Sequence, residues 1–351
     1  MITEQKDIKS LSHQELEDAV LALGEKKFRA AQLFEWMHKK KAASFSEMSN
    51  LSEVFRKKLA ENFSFTVLRE VRRLSSAEDG TIKFLFALPD DKVIESVFMK
   101  YHHGNSVCIS SQAGCRMGCR FCASTLEGLE RNLLPSEMLE QIYRIEELTG
   151  EHVSNVVVMG TGEPMDNYDN LVRFIRLITD EKGHNMSVRN ITVSTCGIVE
   201  NMRKLAMEEL PVTLALSLHA PNDEKRKRLM PVAYKYELKE VLAACDFYFE
   251  KTGRRISYEY SLVAGENDTE SEADELGRLL RGKNCHVNLI PVNPIKERDY
   301  KQSTFKNVLN FRKRLEKYNI NVTIRRELGA DIGAACGQLR KSHLDEMGKN
   351  G

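Results

Sequence analysis

Little in this chain is extreme, and each shortage narrows the choices. There are only 8 Pro and 20 Gly in 351 residues, too few for a collagen-like or low-complexity polymer. Trp occurs once, and 52 Lys plus Arg nearly cancel 51 Asp plus Glu, so the chain as a whole is neither a polycation nor a polyanion. No stretch approaches the ~18 consecutive apolar residues of a membrane span, so no membrane partner is expected. Met1-Ile2-Thr3-Glu4-Gln5-Lys6-Asp7 carries charges where a secretory leader needs an apolar core, which predicts a cytoplasmic protein. With 42% hydrophobic and 29% charged residues the chain can bury a core. At ~150 residues per domain its length predicts about two domains.

What stands out is cysteine: Cys108, Cys115, Cys119, Cys122, Cys196, Cys245, Cys285 and Cys336. In a reducing compartment these are expected as metal ligands or reactive thiols rather than structural disulfides. Charge is also uneven. Residues 24–73 hold 12 Lys or Arg against 6 Glu, and residues 296–326 hold 10 against 3 acidic residues. Two basic zones on a neutral chain suggest a polyanionic partner, the competing explanation being two solvated helix faces.

The periodicity changes along the chain. Ser12-His13-Gln14-Glu15 is a capping box leading into Leu16, Val20 and Leu23, and further helices are expected over 28–41 and 51–61. Three short strands follow, over 66–74, 82–88 and 93–99, with turns at Asp79-Gly80 and Asp90-Asp91. From Ser106 strands and helices alternate. Strands are predicted at 107–110, 155–159, 190–194, 212–217, 257–263, 286–291 and 321–324, and helices at 135–148, 171–179, 200–207, 238–250, 272–280 and 304–318. Such α/β alternation predicts a mostly parallel sheet with helices outside it. Six or seven units are too few for an eightfold barrel, so an incomplete (β/α)6-type barrel is expected. The expected division is a helical, basic segment at 1–65, a linking β segment at 66–100, the barrel at 101–340 and a flexible tail at 341–351.

The sharpest signal is Cys115-Arg116-Met117-Gly118-Cys119-Arg120-Phe121-Cys122, three thiols within eight residues in a loop after the first barrel strand. Closed zinc sites and complete iron–sulfur clusters normally have four protein ligands. Three Cys on a [4Fe–4S] cluster would leave one iron open. The alternative is a zinc knuckle with His102 or His103 as fourth ligand. The C-x3-C-x2-C spacing resembles that of the radical S-adenosylmethionine (SAM) enzymes, in which the open iron chelates SAM. Polar residues fall at the C-terminal ends of the other predicted strands, where parallel barrels form their sites. These are Gly160-Thr161-Gly162-Glu163-Pro164, Ser194, Ser217-Leu218-His219 and Asn293. Singly each is weak, since a Gly-x-Gly is usually a turn and a lone His a satisfied polar residue. Together they mark Gly162, Glu163, Ser194, Ser217, Leu218, His219 and Asn293 as candidate SAM contacts.

Longer blocks carry a closer resemblance. They include Arg29-Ala30-x-Gln32-Leu33-Phe34-Glu35-Trp36-Met37-His38, Glu95-Ser96-Val97 and Cys108-Ile109-Ser110-Ser111-Gln112-x-Gly114-Cys115. Gly162-Glu163-Pro164, Ser217-Leu218-His219-Ala220-Pro221-Asn222-Asp223, Val287-Asn288-Leu289-Ile290-Pro291 and Asp331-Ile332-Gly333-Ala334-Ala335-Cys336-Gly337-Gln338-Leu339 continue it. The chain closely resembles the RlmN family, radical SAM adenine carbon-2 methyltransferases of ribosomal and transfer RNA, whose sister group is the Cfr resistance methyltransferase.

That resemblance implies a [4Fe–4S] cluster on Cys115, Cys119 and Cys122, and two SAM molecules per methyl group transferred. It implies that Cys336 is methylated by one SAM, that a radical generated from a second SAM activates this methyl group, and that the carbon adds to adenine. It further implies that Glu95 removes the carbon-2 proton, and that Cys108 resolves the protein–RNA crosslink by forming a transient disulfide with Cys336. The implied partners are 23S rRNA, tRNA and a flavodoxin-type electron donor, and the family precedent is a monomer. Without the resemblance Glu95 reads as a solvated strand residue and Cys336 as a small buried one. Lys26, Lys27, Arg29, Lys39, Lys40, Lys41, Lys57 and Lys58 become collective candidates for RNA phosphates, and Trp36 a packing anchor. Cys196, Cys245 and Cys285 are expected in or near the core. Thr161 and Val292 depart from the family pattern, which predicts tuning of the pocket. Pro164 and Ala220-Pro221-Asn222-Asp223 favour carbon 2 over the sister activity at carbon 8. A rival of another class is a non-enzymatic, zinc-containing RNA-binding protein.

Overall fold

The structure, a computed structural model, describes residues 5–102, 104–295, 297–333 and 338–348. The chain opens with α1 (His13–Ala22), α2 (Phe28–Phe34) and α3 (Glu53–Asn62). The expected capping box starts α1: Ser12 Oγ accepts from Glu15 N–H while the Glu15 carboxylate accepts from Ser12 N–H. The helix expected over 28–41 is α2 continued by a wider π turn, Glu35–Lys39.

Three antiparallel strands follow, β1 (Arg69–Ser75), β2 (Ile82–Ala87) and β3 (Val93–Met99). The first starts later than its sequence pattern because its leading residues are bonded elsewhere. Thr66 N–H donates to Asp7 Oδ2 at 3.0 Å and Leu68 N–H to Glu140 at 3.4 Å, so neither joins a ladder. β3 pairs antiparallel with β4 (Asn105–Cys108), making these strands one sheet with the barrel. A short hairpin outside that sheet, β5 (Gln112–Gly114) and β6 (Leu129–Asn132), brackets the cysteine loop and was too brief to show as alternation.

Beyond it β7 (Val153–Val158), β8 (Ile191–Thr195), β9 (Thr213–Ser217), β10 (Ile256–Leu262), β11 (Cys285–Pro291) and β12 (Asn321–Ile324) add in order to β4, all parallel. The connecting helices are α4 (Pro135–Thr149), α5 (Tyr168–Thr179), α6 (Val199–Leu205), α7 (Asp223–Leu229), α8 (Leu238–Thr252), α9 (Glu270–Leu280) and α10 (Phe305–Glu316). This is the incomplete α/β barrel that the alternation predicts. Residues expected as a flexible tail from 341 are instead helical to Gly348 in α11 (Gln338–Gly348). The reason is apolar: Leu339 and Leu344 pack against Leu85, Ala87 and Val93.

Strand alternation gives the sheet two unlike faces. One bears Val107, Val156, Val193, Leu214, Leu216, Tyr258 and Leu289 in the main core. The register aligns Val97 with Cys108, Cys108 with Val157, Ser194 with Ala215, Ser217 with Glu259 and Glu259 with Asn288 on the other face. The segment after β12 returns across the sheet. Gly329 N–H donates to Asp79 at 2.9 Å, Ala77 N–H donates to Asp331 at 3.0 Å, and Leu328 packs on Val97, Met99 and Cys108. A cavity of about 340 Å³ lies there, its wall including Tyr101, Cys108, Asn293, Arg325 and Gly329.

The N-terminal helices share the main core with the barrel. Lys9 and Glu140, both buried, pair at 2.6 Å. Glu146 on α4 receives Lys41 Nζ at 2.6 Å, Val153 N–H at 2.8 Å, and the rings of His152 and His184 at 2.9 and 3.2 Å. Burial opposes ionisation of Glu146, but these hydrogen bonds, His184 and Lys41 foremost, outweigh it and hold its carboxyl at about 2, against an ordinary 4.5. Its stabilising contribution is therefore full above pH 4.5 and is lost as pH falls toward 2. The wild-type urea midpoint should fall more between pH 7 and pH 3 than that of Glu146→Gln. Equal falls in both proteins would show that this carboxylate is not the titrating clamp.

Candidate active site

Every candidate site residue within the described range, apart from Glu95, lies in or near the C-terminal end of a parallel strand. The cysteine loop grows from the β5–β6 hairpin, where Cys115 N–H donates to Gly128 carbonyl oxygen at 2.8 Å. Within it Thr125 Oγ1 donates to the Cys119 and Cys122 carbonyls at 3.1 and 2.9 Å. Cys119, Met117 and Phe121 pack against Cys196, Leu229 and Met230, at the ends of β8 and α7. Phe121 meets the His219 ring edge-on, with centroids 4.8 Å apart.

Ser110, Ser111 and Gln112 tie this loop down, and all three are buried. Gln141 on α4 accepts from Ser110 N–H at 2.7 Å and donates to Ser110 carbonyl oxygen at 3.0 Å. Ser110 Oγ donates to Glu95 carbonyl oxygen and accepts from Thr161 N–H. Gln112 accepts from Glu163 N–H at 2.8 Å and donates to Asn132 and Asp166. Gly162 is needed here: at φ +109°, an added Cβ would lie 2.8 Å from Gln112 N. The close approach it permits is thus to the chain's own backbone.

Burial pushes the Cys115 thiol up to about 12 and the Cys119 thiol upward, helped by the negative neighbours Cys122 and Glu163. Thiolates there need positive charge, which a metal centre supplies. Among the described residues the one trio of His, Cys, Asp or Glu with all ligand atoms within 4.8 Å is Glu146, His152 and His184. Three thiols in one loop are one short of the four protein ligands that a closed zinc site takes. A larger, multinuclear centre fits them. His102 precedes β4 at the end of the strand opposite the cysteine loop, which removes it as a zinc ligand; His103 is outside the described residues.

The candidate SAM contacts divide. Glu163 is buried, with Oε1 accepting from Met165 N–H at 3.0 Å and Oε2 from Cys196 N–H at 2.8 Å, so it braces β7 to β8. Burial pushes its carboxyl upward against these bonds. Leu218 is fully buried, its N–H donating to the Glu259 carbonyl at 3.0 Å and its carbonyl accepting from Ala220 N–H at 2.8 Å. His219, at φ +55°, accepts from Ser261 N–H through Nδ1 at 2.8 Å. Ser194 and Ser217 stand half-buried on the inner face, and Asn293 lines the cavity with Cys108.

Glu95 and Cys108 share that face on adjacent strands, both buried. Glu95 pairs with buried Lys83 at 3.2 Å, and its other oxygen accepts from Arg340 N–H at 2.6 Å. Lys83 Nζ also donates to Gly333 carbonyl oxygen at 3.4 Å. Cys336 lies outside the described residues; its flanking neighbours Gly333 and Arg340 both touch the Lys83–Glu95 pair. Cys196, Cys245 and Cys285 are buried as expected. Sequence reasoning missed Lys83, Gln141, Arg226 and Arg340. Buried charges on strands or helices look like surface residues until their partners are known; the run Ser110-Ser111-Gln112 at a strand end was the available signal.

Comparison with known proteins agrees with this geometry. Residues 6–64 match the family described as ribosomal RNA large subunit methyltransferase N-terminal domain, and residues 109–277 match the radical SAM superfamily. The chain is 64% identical over 345 residues to a probable dual-specificity RNA methyltransferase RlmN of Lachnoclostridium phytofermentans, covering 98% of this chain and 97% of that one. Identity is 61% over 341 residues, 97% of each chain, with the like-named protein of Lachnospira eligens. A radical SAM methyltransferase from Sphaerobacter thermophilus, known by crystal structure, superposes with a TM-score of 0.91 at 41% identity, covering 95% of this chain and 98% of that one.

Burial, aided by the Arg226 charge, pulls His219 down to about 3, and its Nδ1 is already an acceptor, so the ring is neutral with its proton on Nε2. Nitrogen NMR should show that tautomer from pH 7 to pH 5. An imidazolium signal at pH 5 would contradict it.

Proposed function

Because the chain belongs to the RlmN family of radical SAM RNA methyltransferases, we propose that it methylates carbon 2 of an adenine in 23S rRNA and in tRNA, with Cys336 as methyl carrier. The observation that carries the reading is the anchoring of Gly333 and Arg340 on the Lys83–Glu95 pair, beside Cys108 and the cysteine loop. Cys336 lies three positions after Gly333 and four before Arg340, both bonded to the Lys83–Glu95 pair, so chain length alone limits how far its thiol can stand from Glu95.

When bound on Cys115, Cys119 and Cys122, the [4Fe–4S] cluster and SAM supply a methyl group and one-electron radical chemistry. The remaining work falls to the chain. Carbon 2 of adenine is electron-poor and cannot attack an electrophilic methyl group, so the methyl is first carried on Cys336 Sγ. Glu95, oriented by Lys83 and Arg340 N–H, takes the proton from carbon 2. Cys108, having given up its thiol proton, attacks Cys336 Sγ; the S–S bond forms as the carbon–sulfur bond to the RNA breaks, the freed carbon takes up a proton to become the methyl group, and an external two-electron reductant returns both thiols. On the same reading the electron donor is a flavodoxin-type protein, the working form is a monomer and the compartment is the cytoplasm. No helix among the described residues is long and apolar enough to cross a membrane.

RNA is gripped largely through its phosphates. Lys26, Lys27, Lys39, Lys40 and Lys57 are exposed and suited to this. Lys41 and Lys58 are partly spent inside, on Glu146 and the Leu23 carbonyl. Trp36 donates to Asn50 at 2.6 Å and packs on the core, which favours an anchor over a base-stacking platform.

Anaerobic reaction with ribosomal RNA, followed by nucleoside mass spectrometry, should give 2-methyladenosine; 8-methyladenosine alone would transfer the assignment to the sister activity. Cys336→Ala should retain iron and SAM binding and lose all methyl transfer. Cys108→Ala should accumulate protein joined to RNA, and normal yields of released product would refute its resolving role. Glu95→Gln should slow turnover by roughly 10²–10⁴-fold, the usual range for loss of a general base.

A further inference from the structure

Arg226, on α7, is the largest of the fully buried side chains, at 0% exposure. Its Nη2 donates to Cys196 carbonyl oxygen at 2.6 Å and lies 3.5 Å from Ser217 carbonyl oxygen. Nε and Nη1 have no hydrogen-bond partner among the described residues. Burial weighs against the charge of the guanidinium, and the groups placed to favour it are the sulfurs of Cys196 and Cys119 and the carboxylate of Asp223. Room is kept for it by Gly197, at φ +103°, where an added Cβ would come within 3.3 Å of Nη2 and 3.0 Å of Val241.

A guanidinium stays charged in proteins and presents five N–H donors. Among the described residues no carboxylate forms an ion pair with it and two of its donor atoms are unmet, a costly arrangement. It becomes a favourable one if an anion occupies the loop that packs against the same residues. Cys119 lies in one apolar cluster with Cys196 and Leu229, at the end of α7. A four-iron cluster on three thiolates is anionic and gains a further negative charge on reduction, and its potential responds to nearby charge and to hydrogen bonds on its sulfurs.

We propose that Arg226 is the built-in counter-cation of the three-cysteine centre: tied to Cys196 through Nη2, it offers its charge and its remaining N–H groups to the cluster and favours the reduced form. The role is one of positioning and electrostatics, and rests on the functional reading above only in taking a four-iron cluster as the occupant of the cysteine loop.

The test is an anaerobic redox titration of the reconstituted full-length protein, followed by electron paramagnetic resonance, with dithionite as reductant. Arg226→Met and Arg226→Gln, loaded to wild-type iron content, should be at least tenfold harder to reduce, a shift of about 59 mV for one electron. Arg226→Lys, which keeps the charge, should recover most of that difference. Neutral variants that fold by circular dichroism but take up no iron, while the Lys variant does, also support the role. Should the Met variant not fold, Gln takes its place, since it can keep the bond to the Cys196 carbonyl. Neutral variants that hold full iron and titrate with the wild type overturn the proposal. So does failure of all three variants to fold or to load, Lys included, because charge is then not what matters. A wild-type protein with no iron and no signal would instead refute the functional reading itself.

Discussion

Three consecutive buried residues, Ser110, Ser111 and Gln112, hold the rest of the site in register. They leave β4 where the sheet's antiparallel and parallel halves meet, and nearly all of their polar atoms are used. Ser110 joins α4, β3 and the loop after β7 through Gln141, Glu95 and Thr161. Asn167 donates to the Ser111 carbonyl, and Gln112 reaches Glu163, Asp166 and Asn132. A buried amide left without a partner costs about 1–3 kcal/mol, so this network tolerates few alternative geometries. The cysteine loop begins three residues later, at Cys115, and inherits that rigidity.

The second constraint is the unequal treatment of the two sheet faces. Helices cover the outer face with Val, Leu, Ile and Tyr, while the inner face keeps Glu95, Cys108, Ser194, Ser217, Glu259 and Asn288. A closed eight-stranded barrel would pack its interior solid. Here the strands stop at β12, and the segment through Leu328 and Gly329 returns to β3 and the turn before β2, leaving a cavity rather than a core. The same segment leads to Gly333 and, beyond it, to α11 on β3. Barrel closure and the placement of Gly333 and Arg340 on the Lys83–Glu95 pair are thus one structural event.

Much of this was legible in advance, for definite reasons. The parallel strands announce themselves as short Val- and Leu-rich runs, and the helices between them as amphipathic stretches of 3.6-residue period. The capping box at Ser12 appears as written. Three cysteines in eight residues are local information, as are the polar strand ends. The hairpin β5–β6 was too short for any period, and α11 looked like a polar tail because, among the described side chains, its apolar contact with the sheet rests on Leu339 and Leu344. Glu163 and Leu218 were singled out as ligand contacts, and what the sequence did not show is that Glu163 also accepts from two backbone N–H groups and that Leu218 is packed inside.

What the sequence alone determined is whatever lies within one element or one loop: strand and helix types, the three-thiol spacing and the segregation of basic residues. Only the tertiary structure decided which distant residues meet. Lys83 with Glu95 and Gly333, Arg340 with Glu95, and Arg226 with Cys196 beside Cys119 are separated by tens to hundreds of positions, and nothing local in the chain pairs them. Their pairing is forced by burial: a charge taken out of water must find a partner or be lost, and topology determines which partner is in reach.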